Sequence, residues 1–289
     1  MKLANLLLVV ALSAVTAFAV SQYAVPQQTV ASTQQKESRF EQIKRTGTLR
    51  CGYYLWPPLI DKDLKTGQMK GAFVEITEEI AKQLGVKVEW VTEILHPNIS
   101  VDFASNRYDM IGGILLATPS RAREMDFTIP IFFHPTYLFV RNGDTRFDNN
   151  YAAANDPKVK ISVLEGEFSA IAANERYPKA QKIALPQNAS GPEILLSVAA
   201  GKADVVATEM TTFSNYSKNN PGILRRVAGP PESVVAAGFP IPQREQDLKD
   251  AVDTTITYLQ STGFIDKVFR KYETQDNKIL RMTSPYILQ

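Results

Sequence analysis

The sequence predicts an α/β protein of two lobes, each a βαβαβ unit around a parallel sheet, joined by two extended hinge strands that cross between them. Three observations carry this. Apolar runs of strand length alternate with helical patterns in the order β-α-β-α-β between residues 48 and 115, and right-handed crossovers turn that order into a parallel sheet with its post-strand turns at one edge. The same order of elements returns between residues 159 and 208. A further extended stretch and two amphipathic helices follow. If those helices pack back on the first unit, the chain crosses between the lobes twice, and the two rows of turns face each other across a cleft.

In the first unit, Thr48 to Tyr54 reads as a strand and Tyr54-Leu55-Trp56-Pro57-Pro58 as the turn after it. A helix is expected from Ala72 to Leu84, with Phe73, Ile76, Ile80 and Leu84 on one face and Gly85 as its stop. Val86 to Val91 reads as a strand and Asn98 to Asn106 as a helix. Met110 to Leu115 is almost purely apolar and contains two glycines, which fits one strand buried on both faces. In the turn that follows, Thr118 can accept from free N–H groups and Pro119 suits a first helical position. Arg121 then sits in the first turn of a short helix beyond the carboxyl end of a strand, where open α/β sheets bind ligands. A guanidinium there, backed by free N–H groups, suits a carboxylate held by two parallel hydrogen bonds. The alternative is a surface arginine that neutralises Asp109 or Glu124.

The second unit reads as a strand at Val159 to Leu164, a helix at Glu167 to Arg176, and a strand at Lys182 to Leu185. A helix at Pro192 to Ala200, closed by Gly201, and a strand at Ala203 to Thr208 complete it. Its corresponding turns are Glu165 to Ser169 and Thr208 to Thr212. Tyr137 to Arg141 and Val235 to Pro242 read as the crossing strands. Leu248, Val252, Ile256 and Leu259 line the first closing helix and Phe264, Val268 and Tyr272 the second, with Gly263 between them. The expected organisation is a signal peptide at 1–19, a flexible leader at 20–38, lobe 1 at 39–135, lobe 2 at 136–236, and a return to lobe 1 at 237–289.

The leader follows from composition. Residues 1–19 hold one lysine, an uncharged stretch from Leu3 onward, and the small-x-small site Ala17-Phe18-Ala19, the pattern of a cleaved secretory signal peptide. An uncleaved anchor is the rival, because the apolar run reaches Val20. Residues 20–38 are rich in Gln, Ser, Thr and Ala. A hydrophobic content of 44%, a charged content of 21% and a net charge of +2 describe a globular chain with no basic run, which argues against a nucleic-acid partner. The single cysteine, Cys51, lies in an expected strand without a lipobox and reads as a buried thiol. The chain lacks a Gly-x-Ser-x-Gly elbow, a Cys-x-x-Cys pair, a His-Glu-x-x-His motif and a phosphate-cradling glycine loop. Its two histidines, His96 and His134, read as structural or solvated. No metal and no cofactor are expected.

Eight short motifs then occur in order: Gly47-Thr48-Leu49-Arg50, Trp56-Pro57-Pro58-Leu59, Gly71-Ala72-Phe73-Val74-Glu75, Arg107-Tyr108-Asp109, Thr118-Pro119-Ser120-Arg121, Asp126-Phe127-Thr128-Ile129-Pro130, Gly201-Lys202-Ala203-Asp204, and the closing Gly263-Phe264-Ile265 with Lys271-Tyr272. Over residues 40 to 275 the chain resembles the type 2 periplasmic solute-binding proteins, specifically the amino-acid-binding family of ABC importers. The resemblance implies the two-lobed type 2 fold and an exported, periplasmic protein, monomeric, that hands a small amino-acid-like ligand to an ABC transporter permease in the inner membrane. It also implies that Arg121 holds the ligand carboxylate, Trp56 covers its side chain, and Glu209, following the Gly-Lys-Ala-Asp strand, takes its ammonium.

The sequence departs from that pattern at three places. Leu116 stands two residues before Thr118, where the family has a hydroxyl. Gly166-Glu167-Phe168-Ser169 replaces a Gly-Thr-Thr turn, and Ile129 replaces an aspartate. Glu167 reads either as a solvated residue at a helix N-terminus or as a second negative charge in the cleft that favours a cationic ligand, with Phe168 as an apolar wall. The expected ligand-binding set is therefore Trp56, Leu116, Thr118, Arg121, Glu167, Phe168 and Glu209, with no catalytic residue. A dehydratase of cyclic carboxylic acids such as prephenate or arogenate, and a sensor that presents its closed form to a membrane protein, are the competing readings on the same scaffold.

Overall fold

The structure is a computed structural model that describes residues 37–273 and 279–282. The expected signal peptide and all but the last two residues of the expected leader lie outside them. Helix α1 (Arg39–Thr46) begins at Ser38, whose hydroxyl accepts from the Glu41 N–H while the Glu41 carboxylate accepts from the Ser38 N–H. Strand β1 (Thr48–Tyr53) follows, then the hairpin of β2 (Asp61–Lys62) and β3 (Met69–Lys70). Helix α2 (Ala72–Gln83) buries Phe73, Ile76 and Ile80 as the 3.6-residue spacing requires. Strand β4 (Lys87–Glu93), a 3₁₀ turn at His96–Asn98, α3 (Ile99–Ala104) and β5 (Met110–Ile111) complete this unit. β1 lies between β4 and β5 and is parallel to both.

The run from Met110 to Leu115 is two strands rather than one. β5 ends at Ile111, the chain bends through Gly112 and Gly113, and β6 (Leu115–Leu116) joins a different sheet. The glycines are where the backbone comes too close to its neighbours for a side chain. A Cβ on Gly112 would lie 2.2 Å from the Trp90 ring, and one on Gly113 would lie 2.4 Å from Ile60 Cδ1. Apolarity alone did not reveal the bend. β7 (Asp126–Phe127) then leads into β8 (Phe132–Arg141), the first crossing strand. It starts five residues before the expected Tyr137, because His134 and Pro135 interrupt the apolar run that marks a strand in sequence.

The second unit runs β9 (Lys160–Leu164), α4 (Phe168–Arg176), β10 (Gln181–Leu185), α5 (Gly191–Ala199) and β11 (Val205–Thr208), followed by α6 (Met210–Asn219) and β12 (Leu224–Arg226). β9 lies between β10 and β11, parallel to both, and β11 pairs antiparallel with the second half of β8. The returning crossing strand β13 (Ser233–Gly238) pairs antiparallel with the first half of β8, in the register Phe132 to Ala237, His134 to Val235 and Thr136 to Ser233. One eight-stranded sheet thus runs from the second unit through both crossing strands to β6. The expected extended stretch to Pro242 is broken: β14 (Pro240–Ile241) leaves β13 and pairs with β7.

Helices α7 (Gln246–Ser261) and α8 (Phe264–Tyr272) return to the first unit, and β15 (Leu280–Arg281) pairs with the start of β8. Leu248, Val252, Ile256, Val268 and Phe269 join Phe73, Ile76 and Leu49 in one continuous core. Asp109, only 2% exposed, binds that core to the N-terminal helix. Its carboxylate accepts from the Arg50 N–H at 2.9 Å and from Arg50 Nη2 at 2.7 Å, and Arg39 Nη1 lies 3.6 Å away. With both arginines on it, Asp109 is not the partner of Arg121.

Gly112→Ala is expected to lower stability by about 1 to 3 kcal/mol, the cost of forcing an extra carbon against a rigid indole. Urea denaturation measures this as a lower midpoint at unchanged slope.

Candidate functional site

A cavity of about 480 Å³ lies between the two units, walled by Tyr54, Trp56 and Arg121 on one side and by Glu167, Phe168 and Glu209 on the other. Tyr54 and Trp56 sit on the turn after β1, Arg121 on the turn after β6, and the second group on the turns after β9 and β11. The walls also touch each other. Asn215 Nδ2 on α6 donates to the Pro57 carbonyl at 2.8 Å. At a second place, a Cβ on Gly166 would fall 2.4 Å from Pro97 Cγ, so the left-handed turn there (φ 76°) brings its backbone flat against the opposite unit.

Arg121 opens a 3₁₀ turn, with its N–H donating to Thr118 Oγ1 at 3.3 Å. Its side chain is 8% exposed, and Nη1 donates to the Leu116 carbonyl at 3.1 Å. Among the described residues no carboxylate forms an ion pair with it, neither Asp109 nor Glu124 nor Glu167. Burial pushes its pKa down, and the charge of Glu167 and the Tyr54 hydroxyl push it back. Four of its five N–H donors therefore remain for a further partner. Leu116 lines the cavity and orients the guanidinium through its backbone, while Thr118 is not among the lining residues and braces the turn from behind.

Glu167 and Glu209 are both helix N-cap residues, of α4 and α6. Glu167 accepts from the Ser169 N–H at 2.8 Å and also lines the cavity. Glu209 accepts from the hydroxyls of Thr208, at 2.9 Å, and Thr212. Phe168 is buried in the first helical position and forms part of the apolar wall. Trp56 lies between the Phe73 ring, 6.1 Å away, and the His134 ring, 5.5 Å away, in a stacked column.

Both histidines line the cavity, which the sequence reading did not place there. His134 lies on β8 with Nε2 3.9 Å from Glu209 Oε2, and His96 packs on Tyr54 with ring centroids 5.3 Å apart. His134 lies between Phe132 and Thr136 on one face of β8, ahead of the expected strand start at Tyr137, so the sequence did not mark its place. The Tyr54 hydroxyl donates to the Ile114 carbonyl, and burial pushes its pKa up. Among the described residues no group of three or more His, Cys, Asp or Glu side chains could hold a metal ion. No described helix is long and apolar enough to cross a membrane.

The sequence profile of the bacterial extracellular solute-binding proteins, family 3, matches residues 49–275. A probable histidine-binding protein of Campylobacter jejuni is 24% identical over 213 residues, 72% of this chain and 78% of that protein. Cyclohexadienyl dehydratase of Pseudomonas aeruginosa is 24% identical over 236 residues, 81% of this chain and 86% of the enzyme. Among solved structures, an ancestral amino acid-binding protein, described as a precursor of cyclohexadienyl dehydratase, superposes with a TM-score of 0.70 at 26% identity, covering 82% of this chain and all of its own.

Burial holds both histidines below the ordinary imidazole value, so the folded protein binds fewer protons than the unfolded chain. Their contribution to stability is complete above the unfolded value near 6.5 and is lost as the pH falls through the folded values. The melting temperature should therefore drop between about pH 7.5 and pH 5.5, and drop less in the His96→Gln, His134→Gln double variant.

Proposed function

Because the chain belongs to the bacterial extracellular solute-binding proteins, family 3, we propose that it captures a small amino-acid-like ligand in the cavity between its lobes and delivers it to an ABC importer. The observation that carries this reading is Arg121, a buried guanidinium with most of its donors unused and no carboxylate paired to it among the described residues. A buried charge without a counter-charge is costly, and a ligand carboxylate is the group that relieves the cost. Glu209 takes the ligand ammonium, and Trp56 with Phe168 encloses its apolar part. Glu167 adds a second negative charge, which favours a ligand with a further cationic group.

The expected setting is the periplasm, reached through a signal peptide cleaved near Ala19, with a permease in the inner membrane as partner and the protein acting as a monomer. Binding without turnover is the favoured reading over a dehydratase. Both oxygens of Glu209 already accept hydroxyl hydrogens from Thr208 and Thr212, an arrangement that suits an anion receiving a cation. Incubation with prephenate should leave the substrate unconsumed, and turnover above the uncatalysed rate would replace this reading with the enzymatic one.

A ligand present at about a hundred times its dissociation constant should stabilise the protein by roughly 2.7 kcal/mol, a thermal shift of about 5 to 10 °C at this size. The panel is amino acids, polyamines, betaines, dicarboxylates and sugars, tested on protein refolded to remove any carried ligand. Arg121→Ala should weaken the ligand that shifts wild type by about a hundredfold or more. An affinity within about threefold of wild type would remove the carboxylate role.

A further inference from the structure

The stacked column on the cavity wall contains a titratable lining group that neither the carboxylate grip nor the ammonium site uses. His134 is 6% exposed, and its Nδ1 has no hydrogen-bond partner among the described residues. The imidazole stacks on Trp56 at an interplanar angle of 24°. Nε2 faces Glu209, the carboxylate assigned above to a ligand cation. His134 also sits on β8, the strand that leads from one lobe to the other.

We infer that His134 is a specificity-determining residue of this cavity: neutral, it leaves Glu209 free for a ligand cation, and protonated, it forms an ion pair with Glu209 and excludes that cation. The inference rests on the assignment of Glu209 as the cation site. The surroundings act on the two forms in opposite directions, with burial the larger effect. Burial against Trp56 and Phe132 disfavours the charged ring. The charged groups that face it favour the charged ring: Glu209 at the N-terminus of α6 and Glu167 at the N-terminus of α4. On its own strand Phe132 and Thr136 carry no charge, and neither does Val235 across the ladder on β13. Trp56 adds its π-face to the protonated form. Nε2 lies 3.9 Å from Glu209 Oε2, too far for a hydrogen bond in the neutral ring, and protonation places a positive charge beside that carboxylate.

The consequence is a pH-dependent affinity for cations. A ligand cation and an imidazolium cannot share one carboxylate without mutual repulsion, so binding requires the neutral ring. At one pH unit below the His134 pKa about one molecule in eleven is binding-competent, and the apparent dissociation constant rises about tenfold. A ligand that places no cation at Glu209 would not show this dependence.

The chain has only two histidines, so imidazole NMR on the purified protein resolves both, and the His96→Gln variant assigns them. The ligand-free protein is titrated from about pH 8 to pH 4.5, alone and with Glu209→Gln. His134 is expected to titrate in that range, and to titrate at lower pH once the Glu209 charge is gone. If Glu209→Gln fails to fold, Glu209→Asp takes its place, and the smaller shift runs in the same direction. A His134 that does not titrate, or that titrates identically without Glu209, overturns the inference. Isothermal titration with L-arginine as the cationic probe should then give an affinity that falls about tenfold one unit below the measured pKa, with the slope absent in His134→Gln. Failure of L-arginine to bind near pH 7.5 would count against the cation-site assignment for that ligand, whereas the ligand-free titration decides the His134–Glu209 pair by itself.

Discussion

A buried guanidinium without an ionic partner among the described residues is the constraint on which this site depends. Arg121 comes from the first lobe and Glu167 and Glu209 from the second, all lining one cavity, and among the described residues none of these carboxylates forms an ion pair with the guanidinium. The first lobe brings the guanidinium to the cavity, with Glu93 also on its lining, and the second lobe brings Glu167 and Glu209. In the second lobe the carboxylates sit at the N-termini of α4 and α6, where helix dipoles favour anions. Glu167 caps α4 by accepting from the Ser169 N–H, whereas Glu209 makes no cap bond to the backbone of α6 and accepts from the Thr208 and Thr212 hydroxyls. On the facing side the 3₁₀ turn at Arg121 carries a guanidinium instead.

The rest of the fold holds these walls at the right separation. The crossing strands β8 and β13 are paired along five residues from Phe132 to Thr136, and their ladder merges with the sheet of the second lobe through β11. Thr136 and Ser233 share a hydroxyl hydrogen bond of 2.5 Å where β8 passes into the second lobe. In the first lobe, Asp109 with Arg50 and Arg39 fixes the end of β5 and the N-terminal helix together. Its arginines are thereby kept away from the cavity, and Arg121 remains the cation there. The bond from Asn215 to the Pro57 carbonyl and the contact of Gly166 with Pro97 close the cavity at two points around its rim.

Much of this architecture was legible in the sequence, because the periodicities of α2, α7 and α8 and the apolar runs of β1, β9 and β11 are direct records of burial. The bend at Gly112 and Gly113 was not, since its cause is the proximity of Trp90 and Ile60, which are distant in sequence. The start of β8 was hidden by His134 and Pro135, residues that read as loop until a partner strand is known. The same holds for the site. Arg121 could be placed from the turn it occupies and Glu209 from the resemblance, whereas the place of Glu167 on the cavity lining depended on where α4 begins. The histidines were missed because their importance comes from what faces them, Glu209 across the cleft for His134 and Tyr54 on a neighbouring turn for His96.

The most direct test of the central claim is isothermal titration of basic amino acids against their decarboxylated amines, L-arginine with agmatine and L-lysine with cadaverine. Each pair keeps the cations and differs by the carboxylate. If Arg121 is the buried charge that a ligand must satisfy, the amino acid of a binding pair should be preferred by about a hundredfold or more. An amine that binds as tightly as its amino acid would contradict the account, because the guanidinium would then stay unpaired in a filled cavity.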